Sequence, residues 1–163
     1  MSMRKVEFEP VLLGREADIF AIRFVDESSS EFEKFLLLFK DNKLYQNDMK
    51  SILNTIENIF TQGAKEYYFR LEGKVNDRLC AIPIFVSGDK VKNVGSLRLY
   101  CIRISDKLLI FGGGGIKVTA TYQEDENLLN CVEILQRVDK TLYEMEKTGI
   151  DIYDKIINLS LEI

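Results

Sequence analysis

Cationic and tyrosine side chains are concentrated in one part of this 163-residue chain, in or beside segments that read as β-strands. Cations that hold phosphates, together with aromatic rings on which bases stack, are the usual means of binding single-stranded RNA. The segment therefore predicts an RNA-binding surface, although a tyrosine that alternates with apolar residues can equally be half-buried in a strand. The side chains concerned are Arg70, Lys74, Arg78, Arg98, Arg103, Lys107 and Lys117, with Tyr67, Tyr68, Tyr100 and Tyr122 among them.

The charge distribution supports a localised anion site. Residues 64–123 contain 10 Lys and Arg against 5 Asp and Glu, whereas the whole chain has a net charge of −4. A basic segment between acidic flanks is typical of an anion-binding region, and a sheet face that is basic by chance is the alternative. The chain has no histidine, which excludes imidazole as an acid, base or metal ligand. We expect neither a metal nor a cofactor.

Four consecutive glycines, Gly112–Gly115, follow the last strand-like segment and precede Lys117. A phosphate-binding P-loop requires Lys directly after its last Gly and Ser or Thr directly after that Lys. Ile116 and Val118 occupy the positions on either side of Lys117, so the match fails. Two interpretations remain open: bare backbone N–H groups that approach a ligand, or a bulge or sharp bend after the strand.

The order of apolar patterns predicts an α+β fold in a single domain over residues 1–163. It consists of an N-terminal strand, a two-helix hairpin, an antiparallel-dominated sheet of about four to five strands, and C-terminal helices. Ser30 and Glu33 form a capping-box signature at the start of the first helix. The expected strands are 5–13, 18–25, 66–71, 78–86, 97–105 and 107–111, and the expected helices are 31–40, 48–61, 124–146 and 150–159.

Helical spacing predicts that the hairpin buries an apolar face against the sheet. In residues 97–105, Leu97, Leu99 and Cys101 alternate with Arg98, Tyr100 and Ile102, which predicts a strand with one buried and one open face. The residues expected to be buried in the hairpin are Phe35, Phe39, Ile52, Leu53, Ile56 and Phe60.

Cysteine usage and hydropathy indicate a cytoplasmic protein. Cys80, Cys101 and Cys131 are widely spaced and odd in number, which favours reduced thiols over a disulfide framework or a zinc site, with Cys101 in the core. No apolar run approaches the ~20 residues of a membrane span, and the N-terminal residues lack the pattern of a signal peptide. We therefore expect no membrane partner.

The order of elements resembles the RelE/ParE superfamily, in particular its HigB/Gp49-like members, which are toxins of bacterial type II toxin–antitoxin pairs. The resemblance covers residues 17–145 approximately. It rests on the hairpin in residues 32–40 and 52–63, the segment Phe69-Arg70-Leu71-Glu72-Gly73-Lys74, the segment Leu97-Arg98-Leu99-Tyr100, and Ile116-Lys117 before Thr119, Thr121 and Tyr122.

The resemblance implies a metal-independent mRNA interferase, an endoribonuclease held inactive by an antitoxin, which in this family is commonly a helix-turn-helix protein. Arg98 matches the strand arginine that stabilises the phosphate, Lys117 the basic residue after the last strand, and Tyr122 the downstream tyrosine. These three are the expected catalytic residues, and RNA and the ribosome are the expected partners. The resemblance assigns further RNA contacts to Arg70, Lys74, Arg78 and Arg103.

Two other functions are compatible with the same residues. The first is a non-catalytic interaction module of the same fold that binds an acidic partner protein. The second is a small-molecule or nucleotide-binding protein that uses the glycine segment.

Overall fold

The computed structural model describes residues 3–71, 78–84, 95–118 and 125–163. Its strands are β1 (Lys5–Leu13), β2 (Asp18–Phe24), β3 (Arg70–Leu71), β4 (Leu79–Ile82), β5 (Ser96–Ser105), β6 (Leu108–Lys117) and β7 (Ser160–Glu162). Its α-helices are α1 (Glu31–Phe39), α2 (Gln46–Gln62), α3 (Glu126–Lys147) and α4 (Ile152–Lys155). Short 3₁₀ turns lie at Lys43–Tyr45, Glu66–Tyr68 and Ile156–Asn158.

The described strands form one mostly antiparallel sheet in the order β3-β4-β5-β6-β2-β1-β7, with β2 and β6 as a parallel pair. The α+β class is confirmed, but the sheet has seven strands rather than the expected four to five. The N-terminal strand β1 pairs with β2, which joins it to the main sheet, and β7 pairs with the other edge of β1. A strand of three residues such as β7 is too short to show the alternation that marks a strand in a sequence.

Two boundary predictions are wrong in ways that affect the site. The segment 66–71 was expected to be a strand, but Glu66–Tyr68 forms a 3₁₀ turn and only Arg70 and Leu71 pair with β4. The strand expected to end at Phe111 continues through all four glycines to Lys117. Pairing with β5 holds the glycines in extended conformation, although glycine lowers the intrinsic strand preference.

Both faces of the sheet are covered. One core cluster contains Leu97, Leu99 and Cys101 of β5 together with apolar residues of α1 and α2. The other contains Tyr100 and Ile102 of β5 together with residues of α3 and α4. The expectation of one open face was therefore wrong, since alternation shows which side chains share a face but not what covers it.

The helical hairpin forms as expected. The Ser30 side chain accepts a hydrogen bond from the Glu33 amide at 3.1 Å, and the Glu33 carboxylate accepts one from the Ser30 amide at 3.4 Å. The capping box thus satisfies two amides at the start of α1. Of the apolar residues expected to be buried, Phe35, Phe39, Ile52 and Ile56 are buried, Phe60 is half-buried and Leu53 is 46% exposed.

Leu53 is exposed because the buried stripe of α2 is narrow. Met49, Ile52, Ile56 and Ile59 are buried, and their spacing of three and four residues follows one side of the helix. Leu53 lies ~100° around the helix from Ile52, which turns it away from the sheet.

Replacing Ile56 with alanine is expected to lower the free energy of unfolding by about 2 kcal/mol, the low end of the range for buried aliphatic residues. Ile56 is buried in the cluster between α2 and the sheet, so truncation leaves a cavity. Leu53→Ala is the matched control and should cost less than about 1 kcal/mol because that side chain is largely exposed. Denaturant unfolding measures both, and equal losses would contradict this packing.

Candidate functional site

The β5–β6 pair brings Arg98 and Lys117, two of the three expected catalytic residues, to one face of the sheet. Ser96 lies directly opposite Lys117, and Arg98 lies opposite Gly115. Directly opposed side chains share a face, as do residues two apart in one strand. The Cβ atoms of Arg98 and Lys117 are therefore diagonal neighbours, about 7–8 Å apart.

Tyr100 extends this polar row by one step along β5. It lies two residues from Arg98 and belongs to the core cluster that contains α3, so Ser96, Arg98, Tyr100 and Lys117 all point to the α3 side. We call these four residues the polar row. Tyr100 was expected to belong to the RNA-binding surface but not to the catalytic residues, and no role was predicted for Ser96. Ser96 and Tyr100 each lie two residues from Arg98 in the same strand, and this spacing is the sequence feature that predicts a shared face.

The polar row is buried. Arg98 is 1% exposed and Lys117 3% exposed, while Ser96 and Tyr100 have no exposed area. Burying charged groups costs free energy unless they have compensating interactions, and neither Arg98, Tyr100 nor Lys117 is without a partner. In this conformation a phosphate in solvent does not reach the row.

The glycine segment explains how α3 comes so close to the polar row. A Cβ on Gly112 would lie 2.7 Å from Leu135, and one on Gly115 would lie 2.8 Å from the Asn127 side chain. Both neighbours belong to α3, so the helix packs directly on the bare backbone of β6. Gly112 and Gly115 provide this close approach. The β5–β6 register also shifts between Leu99 and Cys101, so a bulge is present, but it lies within the strand and not after it.

A buried carboxylate anchors the opposite side of β5. Asp48, in the first turn of α2, accepts a hydrogen bond from the Leu97 amide at 3.0 Å, and only 6% of this residue is exposed. The bond ties the start of α2 to the end of β5 that carries Ser96 and Arg98. The polar row is thus held between two fixed helices.

Arg78, expected to contact RNA, is bound to α3 instead. Its backbone amide and Nε donate to the two carboxylate oxygens of Asp139 at 3.1 and 2.8 Å, and its Nη1 donates to Glu146 at 2.8 Å. Burial disfavours the charged guanidinium, but the hydrogen bond to Glu146 and the charge of Asp139 outweigh burial and raise the pKa of Arg78. Its charge is largely neutralised within the molecule.

Arg103 is also paired within the molecule. Its Nε donates to the Ala64 carbonyl at 2.6 Å, and its guanidinium binds Asp106, which also accepts from Lys65 at 2.9 Å. Hydrogen bonds from Lys65 and Arg103 hold the pKa of Asp106 below its ordinary value of 3.8. Asp106 is itself counted in the charge balance of residues 64–123, whereas Asp139 and Glu146 lie outside that segment and offset part of its basic excess.

The structure brings Arg78 and Arg103 together at an open groove of about 370 Å³ beside β4. Phe69, Leu71 and Cys80 contribute its apolar lining, and Glu66 lies at the same groove. Arg70 is half-buried on β3, opposite Ala81 of β4. Lys74 and Tyr122 lie outside the described residues.

Among the described residues, no group of three or more Cys, Asp or Glu side chains is arranged to hold a metal ion. Within the same ranges, no helix has the length and hydropathy needed to cross a membrane. Comparisons with protein-family models, curated proteins and solved structures find no match to this chain.

Proposed function

We propose that this protein is a RelE/ParE-like interaction module that binds an acidic, amphipathic helix of an antitoxin-type partner protein. The observation that carries this proposal is the burial of Arg98 and Lys117 on the α3 side of the sheet. A nuclease of this superfamily would present these side chains to RNA. A binding module needs only a stable scaffold and a free surface.

The order of elements supports the superfamily. The chain has a strand (β2), a helical hairpin (α1 and α2), a meander of strands (β3 to β6) and a long helix (α3), in that order. This is the order on which the resemblance in the sequence rests. One order of elements occurs in proteins of several different functions, so the surfaces of this protein, and not its fold, indicate what it binds.

The outer surface of the hairpin is suited to a partner helix. Leu37 and Leu38 in α1 are exposed, Leu44 in the connection is 86% exposed, and Leu53 in α2 is 46% exposed. Four exposed leucines within residues 37–53 favour a protein-interaction site in this part of the chain. We call these four leucines the hairpin surface.

Three exposed lysines lie close to these leucines in the sequence, together with the exposed carboxylate of Asp41, and their excess favours an acidic partner. Lys40, Lys43 and Lys50 are exposed; among the described residues none of them forms an ion pair. Lys40, Lys50 and Leu53 line one groove of about 400 Å³ between the two helices. Leucines framed by lysines match a helix with an apolar stripe and acidic flanks.

The test is co-purification with the protein encoded by the reading frame adjacent to this gene. We expect a complex with the wild-type chain and loss of the complex with Leu38→Glu plus Leu44→Glu, because each change removes apolar contact and adds like charge. Ile157→Glu is the matched control, since Ile157 is an exposed apolar residue elsewhere on the molecule. A complex that survives the double change, or that the control also abolishes, would contradict the proposed surface.

A second candidate, the mRNA interferase, is favoured by the juxtaposition of Arg98, Lys117 and Tyr100 in the polar row. In such a nuclease the RNA 2′-hydroxyl attacks the adjacent phosphorus and the 5′-oxygen leaves. The two cations would stabilise the charge that develops on the phosphate, and a tyrosine, Tyr122 in the family pattern, would transfer a proton. This chemistry requires the polar row to be uncovered.

Expression of the chain without a partner distinguishes the two candidates. The interaction module predicts normal growth of a bacterial host and uncut ribosome-bound message. The interferase predicts slowed growth and cleaved message, with a loss of ~10²–10³ in rate for each cation removed. Growth restored by Arg98→Ala plus Lys117→Ala, in a variant whose circular dichroism matches the wild type, would establish the nuclease and overturn the first proposal.

A further inference from the structure

Two cysteines that are far apart in sequence lie directly opposite each other in the sheet. Cys80 of β4 and Cys101 of β5 are Cα partners in an antiparallel pair, and both belong to the core cluster on the α1–α2 side. Directly opposed residues in such a pair have Cα atoms about 4.5–5.5 Å apart, inside the range of about 4.4–6.8 Å found in disulfides. The Cys101 Sγ lies 3.7 Å from the Cys80 carbonyl oxygen, so its side chain leans toward β4.

Both cysteines are buried, and Cys80 is the one nearer to solvent. Cys80 is 3% exposed and lines the open groove that also contains Arg78 and Arg103, whereas Cys101 has no exposed area. Among the described residues, the outer side of β4 pairs only with the two-residue strand β3. Short edge elements open locally at low free energy.

We propose that Cys80 and Cys101 form a dithiol pair that a low-molecular-weight disulfide oxidises reversibly to a disulfide joining β4 and β5. The Cys80 thiolate attacks one sulfur of the small disulfide and releases one small thiol, which takes up a proton. The Cys101 thiolate then attacks the Cys80 sulfur of the mixed disulfide and releases the second small thiol. The protein pair loses two electrons and two protons, and the small disulfide gains them.

The geometry also explains why the bond is reversible. Opposed Cβ atoms in a sheet are about 4.5–5.5 Å apart, whereas a relaxed disulfide prefers about 3.5–4.5 Å. Strained disulfides are easily reduced, which is a property of regulatory rather than structural ones. Burial raises the pKa of the Cys101 thiol, so the second step is expected to be the slow one.

Cys131 provides an internal control. Cys131 is in α3, and a Cβ added to Gly113 would lie 3.4 Å from its Sγ. It packs against the core cluster on the other side of the sheet. The sheet therefore separates Cys131 from both partners. Its thiol has a pKa of about 11, chiefly because of burial, so it reacts slowly with disulfides at neutral pH.

The experiment treats the purified full chain with oxidised glutathione, denatures it under acidic quenching, and counts thiols by alkylation and mass spectrometry. We expect two of the three cysteines to lose their thiols, a mass lower by two hydrogen atoms, a peptide that links Cys80 to Cys101, and full recovery with dithiothreitol. Cys131→Ser should behave like the wild type. Cys101→Ser should instead accumulate a glutathione adduct on Cys80.

Several outcomes would overturn the proposal. A wild-type chain that accumulates glutathione adducts without a linked peptide would show that the pair does not close. A linked peptide that contains Cys131 would also overturn the proposal. So would three thiols that persist in oxidised glutathione and react only after the chain is unfolded. These readouts use the wild-type chain, so the proposal is tested even if a cysteine variant fails to fold.

Discussion

Substituting Gly114 with alanine is expected to lower the free energy of unfolding by about 3 kcal/mol, the upper end of the usual cost of overpacking. An alanine Cβ at this position would overlap the carbonyl oxygen of Arg98. That oxygen belongs to the backbone of β5, which cannot rotate away as a side chain can. Because β5 and β6 both have partners on either side in the sheet, neither strand is free to move aside.

Gly113→Ala is the matched control for this substitution. The nearest atom to a Cβ on Gly113 is the Cys131 Sγ at 3.4 Å, an ordinary contact with a side chain. We expect a change of less than about 1 kcal/mol, because alanine also reduces the conformational entropy of the unfolded chain. Urea unfolding of both variants measures the difference. If Gly114→Ala were as stable as Gly113→Ala, the close approach of β5 and β6 would be wrong.

Replacing Asp139 with alanine is the second change with a large expected effect, about 3 kcal/mol of unfolding free energy. Asp139 is 5% exposed and accepts hydrogen bonds from both the backbone and the side chain of Arg78. Removing it leaves a backbone amide and part of a guanidinium without their acceptor. Glu146 still binds Arg78, which keeps the loss below the upper limit for a broken buried pair.

Glu144→Ala is the control for Asp139→Ala because it removes an exposed carboxylate from the same helix. A surface change of this kind usually alters stability by less than about 0.5 kcal/mol. Asp139→Asn should fall between the two, since it retains an acceptor oxygen but loses the charge. Similar unfolding free energies for Asp139→Ala and Glu144→Ala would mean that Arg78 does not hold α3 against β4.

The second prediction concerns the attachment of α3, on which the proposed function depends. The helix buries Leu128, Val132, Leu135, Val138 and Leu142 completely, and Arg78 fixes it further. A helix held in this way is part of the core, and the polar row on the same side of the sheet is buried. A firmly attached α3 therefore favours the interaction module, and a loosely attached one favours the interferase.

Local patterns in the sequence were sufficient to predict the α+β class and the main helices. The capping box at Ser30 and Glu33 marked the start of α1, and helical spacing identified Ile52 and Ile56 as buried. Period-2 alternation placed Arg98 and Tyr100 on one face of a strand. Each of these features depends on residues within a few positions of one another, so the sequence displays it directly.

Only the tertiary structure decided what lies against each face. The pairing of Arg78 with Asp139 joins residues 61 positions apart, and the opposition of Cys80 and Cys101 depends on the register of two strands. The sequence predicted for the glycine segment either a backbone that approaches a ligand or a bulge or bend after the strand, because glycine disfavours strands. The segment instead lies within β6, and the packing of α3 requires bare backbone at Gly112 and Gly115. Sequence periodicity determines which side chains share a face, whereas long-range packing determines whether that face meets solvent, a helix or a partner.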